Sequence, residues 1–141
     1  MKIGIANDHR GYKLKGEIIE YFKKNNIEYV DYGTDSEESV DYVDYALKLC
    51  NGINNKEVDL GILVCGTGIG MSIAANKVKN ILAAKVNTPS EASLCRGHNR
   101  ANVMTLAEYT ENLEEILYNF INTPPAEDEK HVRRVSKILS I

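Results

Sequence analysis

The sequence has little from which to build a cross-linked, metal-bound or membrane-spanning protein. Its three cysteines, Cys50, Cys65 and Cys95, are an odd number at unrelated spacings, with no CxxC pair and no histidine at metal-ligand distance. Neither a disulfide framework nor a metal site is expected, and a reducing compartment is. No apolar run approaches membrane-spanning length, and Met1-Lys2-Ile3-Gly4-Ile5 runs into a strand-like pattern without the apolar core of a signal peptide. A soluble, cytoplasmic protein is expected. Dense basic tracts are missing as well: Lys plus Arg total 17 against 20 Asp plus Glu, which argues against nucleic acid as a partner. Internal repeats and low-complexity segments are absent.

The 141 residues amount to one ordinary domain, able to bury about two thirds of the surface its unfolded chain exposes. Short runs rich in branched residues alternate with longer segments of helical period, the signature of βαβ units around a parallel sheet. Strands are expected at Ile3 to Ala6, Ile27 to Tyr32, Leu60 to Cys65, Ile81 to Val86 and Val103 to Leu106. Leu60 to Cys65 is a continuous apolar run, as in a strand buried on both faces, and is the candidate central strand. Amphipathic helices are expected from Leu14, Ile18, Tyr21 and Phe22, ending at Asn25-Asn26. Further helices follow from Val43, Ala46, Leu47 and Cys50, from the segment after Gly70 to about Lys77, and from Leu113, Ile116, Leu117, Phe120 and Ile121. The one clear break in composition is Thr123-Pro124-Pro125-Ala126-Glu127-Asp128-Glu129, ahead of a last helix carrying Val132, Val135 and Leu139. Two readings of residues 123–141 stand side by side: a helix folded back on its own domain, or an arm that crosses to another subunit.

Ligands of open parallel sheets bind outside the carboxyl ends of the strands, and three loops near strand ends carry chemistry: Asn7-Asp8-His9-Arg10-Gly11 after the first strand, Cys65-Gly66-Thr67-Gly68-Ile69-Gly70 after the third, and Arg96-Gly97-His98-Asn99-Arg100 just before the fifth. The alternating glycines of the second lead into a helix and let backbone N–H groups converge on an anion. A dinucleotide fingerprint would need a later third glycine, a place after the first strand and an acid after the following one, so an oxyanion cradle fits better. Cys65, at the lip of that loop, sits where the positive end of a helix dipole favours a thiolate. Cys50 and Cys95 read as core residues. A lone histidine is more often structural, but His9 and His98 both lie beside glycines near strand ends; Asp8 has an N-cap reading as well. Lys130, Arg133, Arg134 and Lys137 are either the solvated face of the last helix or the one dense basic group able to meet a phosphate.

These residues resemble the type B ribose-5-phosphate isomerases and the related galactose-6-phosphate isomerase subunits. The resemblance spans nearly the whole chain. It is carried by Asp8-His9, Gly33-Thr34, Glu38-Ser39-Val40-Asp41-Tyr42, the run from Gly61 to Lys77, and His98-Asn99 with Ala101-Asn102-Val103. It implies a single domain over residues 1–141 with a Rossmann-like three-layer α/β/α sandwich, a five-stranded parallel sheet and a C-terminal helical arm. It also implies homodimers, with pairing into tetramers left open, whose sites draw on both subunits. Cys65 would carry the proton between C2 and C1 of an open-chain sugar phosphate. Gly66, Gly68, Ile69 and Gly70 would hold the enediolate, and Thr67 and His98 would open the ring. Asp8, Tyr42 and Asn99 would hold hydroxyls; His9, Lys130 and Arg134 would hold phosphate. Neither a metal nor an organic cofactor is implied. Departures from the family pattern gather at the expected phosphate end: Asp128-Glu129-Lys130-His131 for Gly-Gly-Arg-His, Tyr109 for an arginine, Arg100 for an aspartate, and Arg10 for a small residue. Where some members place a glutamate as the base, this chain has Met71, which leaves Cys65 as the only candidate. A pentose phosphate is the expected substrate, with a hexose 6-phosphate of allose or galactose type, or a non-catalytic sugar-phosphate sensor, as alternatives.

Overall fold

Period-two alternation in the strands decides which helices cover which face. The computed structural model describes residues 1–141 and contains β1 (Lys2–Asn7), α1 (Tyr12–Lys24), β2 (Glu28–Asp31), α2 (Tyr42–Asn54), β3 (Leu60–Cys65), α3 (Ile69–Asn76), β4 (Ala83–Lys85), α4 (Pro89–Gly97), β5 (Val103–Ala107), α5 (Leu113–Asn122) and α6 (Glu129–Leu139). All strand pairs are parallel and the sheet order is β2-β1-β3-β5-β4. Ile3, Ile5, Ile62, Val64, Met104 and Leu106 point to one face, where they pack with Leu14, Ile18 and Phe22 of α1, Ala92 and Cys95 of α4 and Ile116, Leu117 and Phe120 of α5. Ala6, Leu63, Cys65 and Val103 point to the other, against Ala46, Leu49 and Cys50 of α2 and Met71 and Ala75 of α3. The result is a three-layer α/β/α sandwich of Rossmann-like type. Every residue of β3 is buried, which accounts for its unbroken apolar sequence.

All five expected strands are present, β4 being shorter than its apolar run. Two features differ from the sequence reading. Helix α4 was not anticipated; Thr88 caps it by accepting the Glu91 N–H (3.1 Å), with Pro89 in its first turn. In α2 the buried face is Ala46, Leu49 and Cys50, while Val43 and Leu47 are exposed. The continuous stripe expected from Val43 to Cys50 thus divides between the core and an outward apolar face.

Because β1 neighbours both β2 and β3, the chain reverses its winding between β1 and β3 and opens a crevice at their carboxyl ends. The loops Asn7 to Gly11 and Cys65 to Gly70 flank that crevice. Close approach is built into the first of them: a Cβ on Gly11 would stand 2.5 Å from the Val64 carbonyl oxygen. Asp8 N–H donates to that same oxygen (3.1 Å). Gly11→Ala should therefore push the loop off β3 and cost about 1–3 kcal/mol, the range for overpacking a filled interior, measured as a lowered urea midpoint with an unchanged m-value.

Candidate active site

Strand β3 ends at Cys65, and the next three residues turn the chain sharply into α3. The turn requires Gly68, whose φ of +78° lies in the left-handed region. Its carbonyl accepts from the buried Thr105 hydroxyl of the adjacent strand β5 (2.9 Å), and its N–H donates to Cys65 Sγ (3.2 Å). Ile69 N–H donates to Thr67 Oγ1 (3.2 Å), and Glu108 N–H donates to the Gly66 carbonyl (3.2 Å). The N–H groups of Thr67 and Gly70 have no partner within the chain, as expected where a loop enters a helix and leaves its first donors free. A sulfur at the end of a strand is thus paired with one backbone N–H and flanked by two more that can meet an anion.

The other cysteines lie in apolar surroundings. Burial pushes the thiols of Cys50 and Cys95 up to about 11, so both stay protonated near neutral pH. Met71, at the position where some family members place a glutamate as base, is fully buried and presents no ionisable group to the crevice.

The first loop meets the second across the crevice. Asp8 is buried, and its Oδ1 accepts the N–H groups of Arg10 (2.9 Å) and Gly11 (3.1 Å). His9 Nδ1 accepts the Val40 N–H (3.2 Å), which leaves Nε2 as the free edge of the ring. The segment from Tyr32 to Asp41 that supplies Val40 is tied down by Lys15. Its buried ammonium donates to the Thr34 carbonyl (2.6 Å) and pairs with Asp31 (3.0 Å). Tyr42 begins α2 and lays its ring on Gly70, where a Cβ would stand 2.6 Å from Tyr42 Cζ. Asp8, His9, Tyr42, Thr67 and the glycine loop are therefore gathered around Cys65.

The remaining candidates are elsewhere. His98 and Asn99 follow α4, whose direction opposes the strands, and so lie at the amino edge of the sheet, where Asn102 N–H donates to Leu82 O (3.0 Å). Cys65 pairs with Ala107 at the far end of β5. The intervening strand puts the two groups roughly 20 Å apart. Lys130 and Arg134 accompany His98, because α6 lies along the amino edge of its own chain. Ala126 N–H donates to Gly97 O (2.8 Å), Arg100 reaches the Ala126 carbonyl (3.4 Å), and Val135 is buried. His131 stacks on His98 with ring centroids 4.1 Å apart; desolvation and the neighbouring His98, Lys130 and Arg134 lower its pKa. The expected site residues thus fall into two separate groups within one chain.

Sequence reasoning overlooked Lys15, which anchors the crevice wall, and Glu108, which follows β5. The rule that residues just after strands face the ligand pointed to Glu108 as much as to Asp8 and Cys65.

A sequence profile of the ribose/galactose isomerases matches residues 3–138. Ribose-5-phosphate isomerase B of Escherichia coli is 38% identical over 142 residues, covering 99% of this chain and 95% of that protein. The crystal structure of a ribose 5-phosphate isomerase from Thermotoga maritima superposes with a TM-score of 0.94 at 45% identity, covering 99% of this chain and 98% of that one. Ribose-5-phosphate isomerase B of Mycoplasma genitalium, solved with bound ribulose-5-phosphate, gives a TM-score of 0.89 at 39% identity, covering 99% and 94%. With the same fold over nearly its full length and a profile match to all but its extreme ends, the chain belongs to the ribose/galactose isomerase family.

Proposed function

We propose that the protein is a cytoplasmic aldose-ketose isomerase that interconverts ribose 5-phosphate and ribulose 5-phosphate through a cis-enediolate, with Cys65 as the base. The observation that carries this reading is the Cys65 loop, with Gly68 N–H on the sulfur at 3.2 Å and the N–H groups of Thr67 and Gly70 open beside it. Isomerisation needs one base to move a proton between adjacent carbons and donors for the oxygens that gain charge. Cys65 takes the proton from C2 and returns it to C1 while the hydroxyl proton passes from O2 to O1, and the loop N–H groups hold the enediolate oxygens. Asp8 and Tyr42 orient hydroxyls of the open chain, and the free Nε2 of His9 faces the phosphate end. Neither metal nor organic cofactor is needed for these steps.

The second half-site comes from another copy. A homodimer with an isologous interface places His98 and Asn99 of one subunit over Cys65 of the other, His98 and Thr67 opening the furanose ring, Asn99 on a hydroxyl, and Lys130 and Arg134 on the phosphate. Residues 123–141 then act across the interface through side chains presented by α6. An apolar face beside the Cys65 loop supports this assembly: Val43 and Leu47 of α2 and Ile69 and Ile73 of α3 are all exposed, and no feature within one chain covers them.

Cys65→Ser should lower kcat by about a hundredfold or more, because a hydroxyl is a poor base near neutral pH, with the circular dichroism spectrum unchanged. Wild-type turnover by purified Cys65→Ser protein would remove the sulfur from the mechanism. Iodoacetamide at pH 8 should label Cys65 first, as read by peptide mapping, and substrate should protect it. Cys50 and Cys95, with pKa values near 11, should react only on unfolding; prior labelling of either would contradict the assignment.

The shared site is tested by mixing inactive Cys65→Ala protein with inactive Arg134→Ala protein under subunit exchange. Random pairing makes half the dimers mixed, each with one intact site, so about a quarter of wild-type activity should return. Heterodimers that form and stay inactive would place Arg134 in the same subunit's site or outside the site altogether.

A further inference from the structure

The carboxyl edge of the sheet holds a cavity of about 430 Å3, lined among others by His9, Arg10, Lys13, Glu37, Glu108 and Tyr109. It opens beside the Cys65 loop, where Arg10 Cζ lies 3.8 Å from the position a Cβ would take on Gly66. Arg10 is the only arginine at this edge. Arg96 and Arg100 flank the turn before β5, and Arg133 and Arg134 ride on α6.

The guanidinium is not free to roam, although the side chain is 59% exposed. Glu108 accepts from Nε (2.8 Å) and from Nη2 (2.7 Å) in the two-pronged geometry of an arginine–carboxylate pair. The hydrogen bonds raise the pKa of Arg10 and lower that of Glu108. Glu108 is itself fixed, since its N–H binds the Gly66 carbonyl at 3.2 Å. The backbone of Arg10 is held through its N–H to Asp8 Oδ1 at 2.9 Å. With Nε and one side of Nη2 engaged, the Nη1 edge remains unpaired. Arg10 Nη1 and the neighbouring His9 Nε2 are the free donors that two adjacent residues bring to this cavity, with Lys13 one helical turn further on. A surface ion pair of this kind contributes little to stability. Its effect here is to orient a planar fork matched to phosphate oxygens.

We infer that Arg10, positioned by Glu108, binds the substrate's phosphate from the same subunit as Cys65 and sets which sugar chain length fits between base and phosphate. The inference rests on the isomerase reading and deepens it. Lys130 and Arg134 reach the phosphate from the other subunit, whereas Arg10 shares a rigid strand-end frame with Cys65. The spacing it defines is therefore internal to one chain. Arg10 is a binding and specificity residue, and Glu108 a positioning residue that acts through it.

Two measurements on the intact protein test this: calorimetric titration with inorganic phosphate, and steady-state kinetics with ribose 5-phosphate and allose 6-phosphate. Arg10→Ala should weaken inorganic phosphate about tenfold, the scale of one charged hydrogen bond. It should raise KM for ribose 5-phosphate by a similar factor with kcat within about threefold of wild type. Arg10→Lys, which keeps the charge without the fork, should fall between the two. Glu108→Gln should raise KM in the same direction by a smaller factor and change the pentose-to-hexose ratio of kcat/KM. Unchanged phosphate affinity in Arg10→Ala, or a fall in kcat at constant KM, would overturn the inference and leave Arg10 as a support for the Gly66 turn. Wild-type protein that turned over neither sugar phosphate, while Arg10→Ala still lost phosphate affinity, would overturn the isomerase reading and leave Arg10 as an anion-binding residue.

Discussion

The buried hydroxyl of Thr105 and the carbonyl of Gly68 form the contact on which the site depends. A left-handed residue directly after a core strand leaves its carbonyl turned inward, and an unpaired carbonyl there costs on the order of 1–3 kcal/mol. Thr105, on the adjacent strand β5, donates its hydroxyl to that carbonyl at 2.9 Å. With the carbonyl held inward, the Gly68 N–H is directed back at Cys65 and the N–H groups of Thr67 and Gly70 are left open. The parallel register of β3 and β5, with Leu63 opposite Thr105, places that hydroxyl where the turn needs it. The chemistry proposed for the sulfur therefore rests on a hydrogen bond between two segments 37 residues apart.

The same architecture separates the candidate residues into two groups. In a βαβ unit each helix returns antiparallel to its strands, so residues after a strand and residues after a helix lie at opposite edges. Cys65 follows a strand and His98 follows a helix. No rearrangement of loops closes a gap roughly the length of a strand; in the proposed homodimer a second copy would supply the other group without disturbing either. The exposed apolar residues of α2 and α3 adjoin the half-site that would be covered. Assembly and catalysis are thus coupled in the proposed enzyme by the direction of the chain through the sheet.

Charge at the carboxyl edge is organised rather than abundant. Lys15 is spent on Asp31 and the Thr34 carbonyl, fixing the segment that carries Val40 and Tyr42. Arg10 is spent on Glu108 along one side of its guanidinium and keeps the other side open. Each ion pair holds a crevice wall in place, so that the net charge of −3 does not describe the local field met by an anion.

Much of the molecule was legible in the sequence because it follows from local periodicity. Unbroken apolar residues from Leu60 to Cys65 marked the central strand, glycines at 66, 68 and 70 marked a loop of converging N–H groups, and Asn25-Asn26 marked a helix end. Helix α4 was overlooked because it is short and mostly polar, although Thr88-Pro89-Ser90-Glu91 carried its capping signal. The tertiary structure alone decided which side of α2 is buried, because Val43 and Leu47 have the same periodic claim on the core as Leu49 and Cys50. It alone gave the distance between His98 and Cys65: the sequence set one loop before a strand and the other after one, and the length of the packed sheet keeps those two edges apart. It alone joined Arg10 to Glu108 across 98 residues: periodicity encodes what lies within a few turns of a residue, whereas that pairing follows from the register of β1, β3 and β5.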